Sequence, residues 1–213
     1  MKRDALLEIV GQEPLFGTGL LLGPGADVPD VQRQLSRWTS DGTVVQLRRG
    51  LYSLGPLFRA RDPHPFEISN RLVPGSYVSL ESVLAARGMI PEAMFATTAV
   101  TTGRQGTRKT PFGSFVYHHI RPDLFWGYVP EPTGGDRIVF VAAPEKALLD
   151  LAYLRTNSGE FGFAAELRLQ HLERVDADRL VQYAARFGSR KVERFARNVI
   201  ALAEREREEY GSE

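Results

Sequence analysis

Residues 29–54, PDVQRQLSRWTSDGTVVQLRRGLYSL, decide how this chain is read. Val31, Leu35 and Trp38 recur at spacings of four and three, which is one apolar stripe of a helix. The spacing predicts a helix over Pro29–Asp41, with Asp27 as its cap and Gly42 as its stop. Its remaining faces carry Gln32, Arg33, Ser36 and Arg37. Two runs of strand formers follow, Thr43–Leu47 and Leu51–Leu54, joined by Arg48-Arg49-Gly50. Gly50 suits a hairpin turn that needs a positive φ.

Upstream, Ala5, Leu6, Ile9 and Val10 mark a helix over Arg3–Val10, ended by Gly11. Phe16, Leu20 and Leu21 predict a second, short helix over Leu15–Leu22, ended by Gly23-Pro24-Gly25. Three helices closed by a basic hairpin are the plan of a winged helix-turn-helix over residues 1–60. The turn before its third helix is longer than in the tightest examples. That third helix would enter the major groove of double-stranded DNA and read base edges with Gln32, Arg33, Ser36 and Arg37. Arg48 and Arg49 at the hairpin tip would meet phosphate or the minor groove.

Gly55-Pro56 and Asp62-Pro63-His64-Pro65 break any helix or central strand, so a linker is expected near 55–65. Residues 65–213 read as a mixed unit. A helix is expected over Ser79–Arg87, capped by Ser79, and strands over Thr97–Thr102, Phe112–Ile120, Trp126–Val129 and Arg137–Ala142. Pro144 opens a helix with Leu148, Leu151 and Ala152 inward. Two more helices follow: one capped by Asp176 and stopped by Gly188, and one from Ser189 to about Glu209. The order places the chain in the α+β class.

Composition narrows the chemistry. The 213 residues are 43% apolar, enough for packed cores, and the net charge is only +1, so the molecule as a whole is no polycation. Cysteine is absent, which excludes disulfides, a thiolate nucleophile and Cys-based metal sites. No apolar run approaches the ~20 residues of a membrane span, and the N-terminus has no leader pattern, so a cytoplasmic protein without membrane contact is expected. His118-His119 on a strand would point to opposite faces, and no metal-binding spacing occurs; neither metal nor other cofactor is expected. Arg104, Arg108 and Lys109 form a basic loop between two strands, with no acidic residue from Thr97 through Arg121. Arg190, Arg194 and Arg197 line one face of the last helix. Both surfaces suit an anionic partner.

The segments Ser76-Tyr77-Val78-Ser79-Leu80-Glu81-Ser82-Val83-Leu84 and Gly88-Met89-Ile90-Pro91-Glu92 resemble the paired signature of AbiEi-family antitoxins of bacterial type IV toxin–antitoxin systems. Ala143-Pro144-Glu145-Lys146-Ala147-Leu148-Leu149-Asp150 is similar to the rest of that pattern, as are the strands at 97–102 and 112–120. Leu35-Ser36-Arg37-Trp38 and Leu47-Arg48-Arg49-Gly50-Leu51-Tyr52 resemble the family's winged-helix entry. The likeness runs from about Val31 to Leu154; beyond Tyr153 no motif is recognised. The resemblance implies an autorepressor that binds inverted repeats in its own promoter. It also implies an antitoxin domain, here 65–213, that counteracts a nucleotidyltransferase-like toxin with or without a stable complex. Two other classes stay open: an enzyme acting on nucleic acid through Glu81, His118, His119 or Glu145, and a transcription factor whose second domain binds a ligand.

Overall fold

The computed structural model describes residues 1–210 except Pro24, Ala93, Gly135 and Asp136. It is mixed α+β, with a small sheet and a large one.

The N-terminal part holds α1 (Arg3–Val10), β1 (Phe16–Gly17), a 3-10 turn (Thr18–Leu21), α2 (Val28–Ser40), β2 (Val44–Arg48) and β3 (Leu51–Leu54). The helix expected over Leu15–Leu22 is therefore a short strand, Phe16–Gly17, followed by a single 3-10 turn, Thr18–Leu21. Phe16 pairs with Tyr52 across β1–β3, and their rings stack at 5.9 Å. Gly17, Thr18 and Gly19 are poor helix formers, so tertiary pairing decides that segment. The expected third helix is present as α2, with Val31, Leu35 and Trp38 buried. They pack with Leu6, Val10, Phe16, Val44 and Leu54. Asp27 stands at the cap position but makes no side-chain cap bond.

The larger sheet has strand order β6-β7-β5-β4-β9-β8, where β4 is Ser76–Val78, β5 Ala96–Thr101, β6 Gly106–Thr110, β7 Gly113–His119, β8 Tyr128–Pro132 and β9 Ile138–Ala142. Sequence periodicity missed β4, which is too short to show an alternation. It also missed β6 and the helices α3 (Pro65–Leu72) and α6 (Phe161–Glu166). The prolines before α3 end the linker rather than extend it: Pro65 occupies the first turn, where it sacrifices no hydrogen bond, and the His64 ring accepts from the Phe66 N–H.

One face of this sheet packs on α4 (Glu81–Ala86), α5 (Pro144–Leu154), α7 (Ala177–Phe187) and α8 (Arg190–Tyr210) through an apolar core that includes Val100, Val141, Leu148, Leu180 and Phe195. The other face meets α3 and the N-terminal part. Leu15, Leu47 and Leu51 pack with Ile68, Leu72, Ala99, Phe115 and Tyr117 in one cluster. The stretch 55–64 thus joins two parts that share buried apolar surface.

Ser79 does not cap α4. Its hydroxyl donates to Asp150 Oδ2 at 2.8 Å, and Leu80 makes the strand-to-helix turn at φ 61°, ψ −144°. A leucine held at positive φ is strained. At 1% exposure, core packing holds it there.

Candidate nucleic-acid interface

The expected DNA-reading residues emerge from local rules. α2 buries its apolar stripe, so Gln32, Arg33, Ser36 and Arg37 are all left exposed. Gly42, at φ 78°, ends the helix, and the Asp41 carboxylate accepts from the Thr43 N–H at 2.9 Å, turning the chain into β2. Hydrogen bonding from the Thr43 side chain, and then that backbone bond, hold the Asp41 carboxyl below its ordinary range. The hairpin closes on Gly50 at φ 81°, and a bulge between Gln46 and Arg48 shifts the register against β3. The bulge puts two consecutive arginines at the tip.

α2 and the hairpin enclose a groove of about 460 Å³ lined by Gln32, Ser36, Ser40, Gln46, Arg49 and Thr18, among others. Gln32, Ser36 and Arg49 are therefore brought to one surface. Arg33 turns along the helix to pair with Asp30. Arg48 is directed elsewhere: its guanidinium donates to the Arg49 carbonyl at 3.1 Å and to the Arg71 carbonyl at 3.2 Å, across the junction with α3. Sequence reasoning missed Thr18, Ser40 and Gln46. None left a trace in the sequence: Gln46 shares the parity of buried Val44, and its exposure goes with the irregular register of β2.

The secondary basic residues divide. What was expected as a loop is the edge strand β6 together with the turn before it. On a strand Arg108 and Lys109 point to opposite faces, so they form no single patch. Arg108 pairs in register with Phe115, on the face that meets the N-terminal part. Burial pushes the Tyr117 hydroxyl up to about 12, opposed by its bond to Ser69 and then by the charges of Arg108 and Arg48. Those two arginines, from different parts of the fold, thus act on one hydroxyl. Arg104 and Lys109 are exposed. Arg190, Arg194 and Arg197 are exposed on α8, in the layer across the sheet from the N-terminal part. Arg194 lies 3.8 Å from Glu160.

The residues weighed for catalysis have other duties. Glu81 pairs with Arg155 at 2.6 Å. Glu145 is 1% exposed and its Oε1 accepts from the Asp176 N–H at 2.9 Å, fixing the start of α7. His119 Nδ1 contacts the Gly103 carbonyl at 3.0 Å. His118 is half-buried; burial and then Arg155 hold its pKa low, while Glu81 opposes them. Glu81, Arg155 and His118 therefore share a neighbourhood that His119 and Glu145 do not. The turn at Leu80 has the strained strand-to-helix form used to present nucleophiles, yet its tip is a buried aliphatic side chain.

The most distinctive polar cluster is internal. Lys146 and Asp150, one turn apart on α5, are both fully buried and ion-paired. Tyr77 donates to Asp150 Oδ2 at 2.9 Å and accepts from Lys146 Nζ at 2.9 Å. The ammonium lies 4.8–5.4 Å from the ring centres of Phe187, Trp126 and Tyr77. Burial pushes Lys146 down and Asp150 up from their ordinary values, each partner opposing the shift. Lys146 thus belongs to an ion pair within the core.

Among the described residues, no helix is long and apolar enough to cross a membrane. No protein-family model matches the sequence, and the curated proteins give no match. Among solved structures, the chain is similar to the RV2827C protein from Mycobacterium tuberculosis, with 14% identity and a TM-score of 0.54. The match covers 92% of this chain and 75% of that one. At that identity the likeness concerns the fold alone.

Proposed function

We propose that the chain is a DNA-binding autorepressor and antitoxin, and that its N-terminal part works as a winged helix-turn-helix. The observation that carries this reading is the groove between α2 and the hairpin. It unites the polar face of a helix, Gln32 and Ser36, with a tip arginine, Arg49. A helix with exposed Gln and Arg can hydrogen-bond adenine and guanine edges, while a flanking arginine neutralises phosphate. Arg37, exposed on the same helix, is the second base-reading candidate. Arg33 must leave Asp30 to take part.

The antitoxin half of the reading rests on the likeness of the segments 76–92 and 143–150 to AbiEi-family proteins. It places neutralisation of a nucleotidyltransferase-like toxin in the α+β part, by recognition rather than catalysis. The duties found for Glu81, Glu145 and His119 support a non-catalytic role. Footprinting on the DNA upstream of the gene tests the first half: inverted, protected half-sites are expected, and uniform or absent protection overturns it. Co-expression with the product of the adjoining reading frame tests the second: relief of that product's toxicity is expected, and undiminished toxicity overturns it.

A further inference from the structure

The α3 side of the large sheet is only partly covered. Beyond α3, Ile138 and Phe140 of β9 remain 61% and 44% exposed. Between them and α3 lies a cleft of about 430 Å³ whose polar wall includes Glu67, Asn70, Arg71 and Arg137, with Glu13 from the N-terminal part at its rim. That size falls within the range of about 300–1,000 Å³ usual for small-molecule sites.

Two of its polar groups are left open. Glu67 is 6% exposed, and its Oε2 is buried without a hydrogen-bond partner among the described residues. The Nε of Arg137 is likewise buried and unpartnered, although its Nη1 lies 3.6 Å from Glu13. Arg137, Arg61 and Arg71 act on Glu67 through their charge, and Glu13 opposes them. None of them bonds to it among the described residues. Asn70 is engaged at both ends: its amide donates to the Ser76 carbonyl at 3.2 Å, and its oxygen accepts from the Phe140 N–H at 2.7 Å.

A buried acceptor and a buried donor, each left open, incur a desolvation cost that a ligand can cancel. A purely anionic ligand would confront Glu67 and Glu13, and a purely cationic one would confront Arg137 and Arg71. An amphoteric molecule with an apolar body satisfies both walls and covers Ile138 and Phe140. We propose that this cleft binds a free α-amino acid with an apolar side chain. Its ammonium faces the Glu67 carboxyl and its carboxylate the Arg137 guanidinium, each side chain turning its enclosed atom toward the ligand, and its apolar side chain lies on Ile138 and Phe140. This assignment is independent of the DNA-binding reading. Because Glu13 belongs to the N-terminal part and Glu67 to α3, an occupant also bridges the two.

Calorimetric titration of the full chain with L-phenylalanine and L-leucine tests the site. Saturable binding is expected. N-acetyl-L-phenylalanine lacks the ammonium and phenethylamine lacks the carboxylate; each should bind at least about tenfold more weakly, or 1.4 kcal/mol. Glu67→Gln and Arg137→Met should weaken L-phenylalanine binding by a similar factor while thermal melts show the fold retained. No saturable heat with either amino acid at millimolar concentration overturns the proposal. So does equal binding of the blocked analogues, or unaltered affinity in a folded Glu67→Gln variant.

Discussion

Gly55 packs against the hairpin's start so closely that a Cβ there would lie 2.0 Å from the Gly42 carbonyl oxygen. Its N–H donates to the Thr43 carbonyl at 2.7 Å, which ties the end of β3 to the turn after α2. Gly55→Ala must push backbone against backbone. Overpacking of this kind costs about 1–3 kcal/mol, and urea unfolding should show a lower midpoint with an unchanged slope. Nothing in the sequence betrays this constraint, because Gly55 precedes a proline and reads as an ordinary turn glycine. Glu67 is a second residue whose part only the fold reveals. Burial raises its pKa above the ordinary glutamate value of 4.5. A carboxyl with a raised folded-state pKa contributes stability below its unfolded pKa and loses it as pH rises through the folded value. At neutral pH the buried charge is therefore a cost. Glu67→Gln should raise the melting temperature at about pH 7, with the gain shrinking as pH falls toward about pH 3, where the carboxyl is protonated in both states. A gain that does not change with pH would assign the effect to packing instead.

At the scale of elements, legibility followed amphipathic period. α2, α7 and α8 each expose one face and bury a regular stripe, and their expected limits differ from the observed ones by a residue or two. The segment 15–22 misled because its glycines and Thr18 yield to pairing with β3. β6 was hidden because Gly106-Thr107-Arg108-Lys109-Thr110 has no apolar alternation; an edge strand that is exposed on its outer residues needs none. α5 shows a different limit. Lys146 and Asp150 sit four apart on a largely apolar helix, a spacing that suggests a surface pair, and the fold buries both. Removing one partner leaves a charge with no compensation, which costs about 3–5 kcal/mol. Lys146→Met and Asp150→Leu should each destabilise strongly in denaturant titrations, and the double variant should lose much less than the sum. Additive losses would show that the pair acts through packing alone. The hairpin carries its own prediction. With Arg48 held by the Arg71 carbonyl, Arg49→Ala should flatten the salt dependence of DNA binding by about one unit of the log–log slope, and Arg48→Ala by less.

At the scale of the molecule, the boundary near 55–65 was legible from its prolines, but the closeness of the two parts was not. Leu15, Leu47 and Leu51 share a core with Ile68, Leu72, Phe115 and Tyr117. The parts should therefore unfold together. Tryptophan fluorescence, which senses Trp38 in one part and Trp126 in the other, should show a single thermal transition coincident with far-ultraviolet dichroism, and two separated transitions would mean independent domains. The surface follows the same logic: Arg48 and Arg108 converge beside Tyr117, while Arg190, Arg194 and Arg197 lie in the opposite layer. On the proposed reading the first side carries the DNA-binding groove, and the opposite layer presents a second basic surface. Whether α2 reads sequence is decided by fluorescence anisotropy. Labelled duplex from the gene's own upstream region and a scrambled duplex of the same composition are titrated with the wild-type chain and with Arg37→Ala. The upstream duplex should bind more tightly, and the variant should lose about 1–3 kcal/mol of that preference while still binding the scrambled DNA. Equal affinity of the wild-type chain for both duplexes, or binding to neither, would contradict sequence reading by α2.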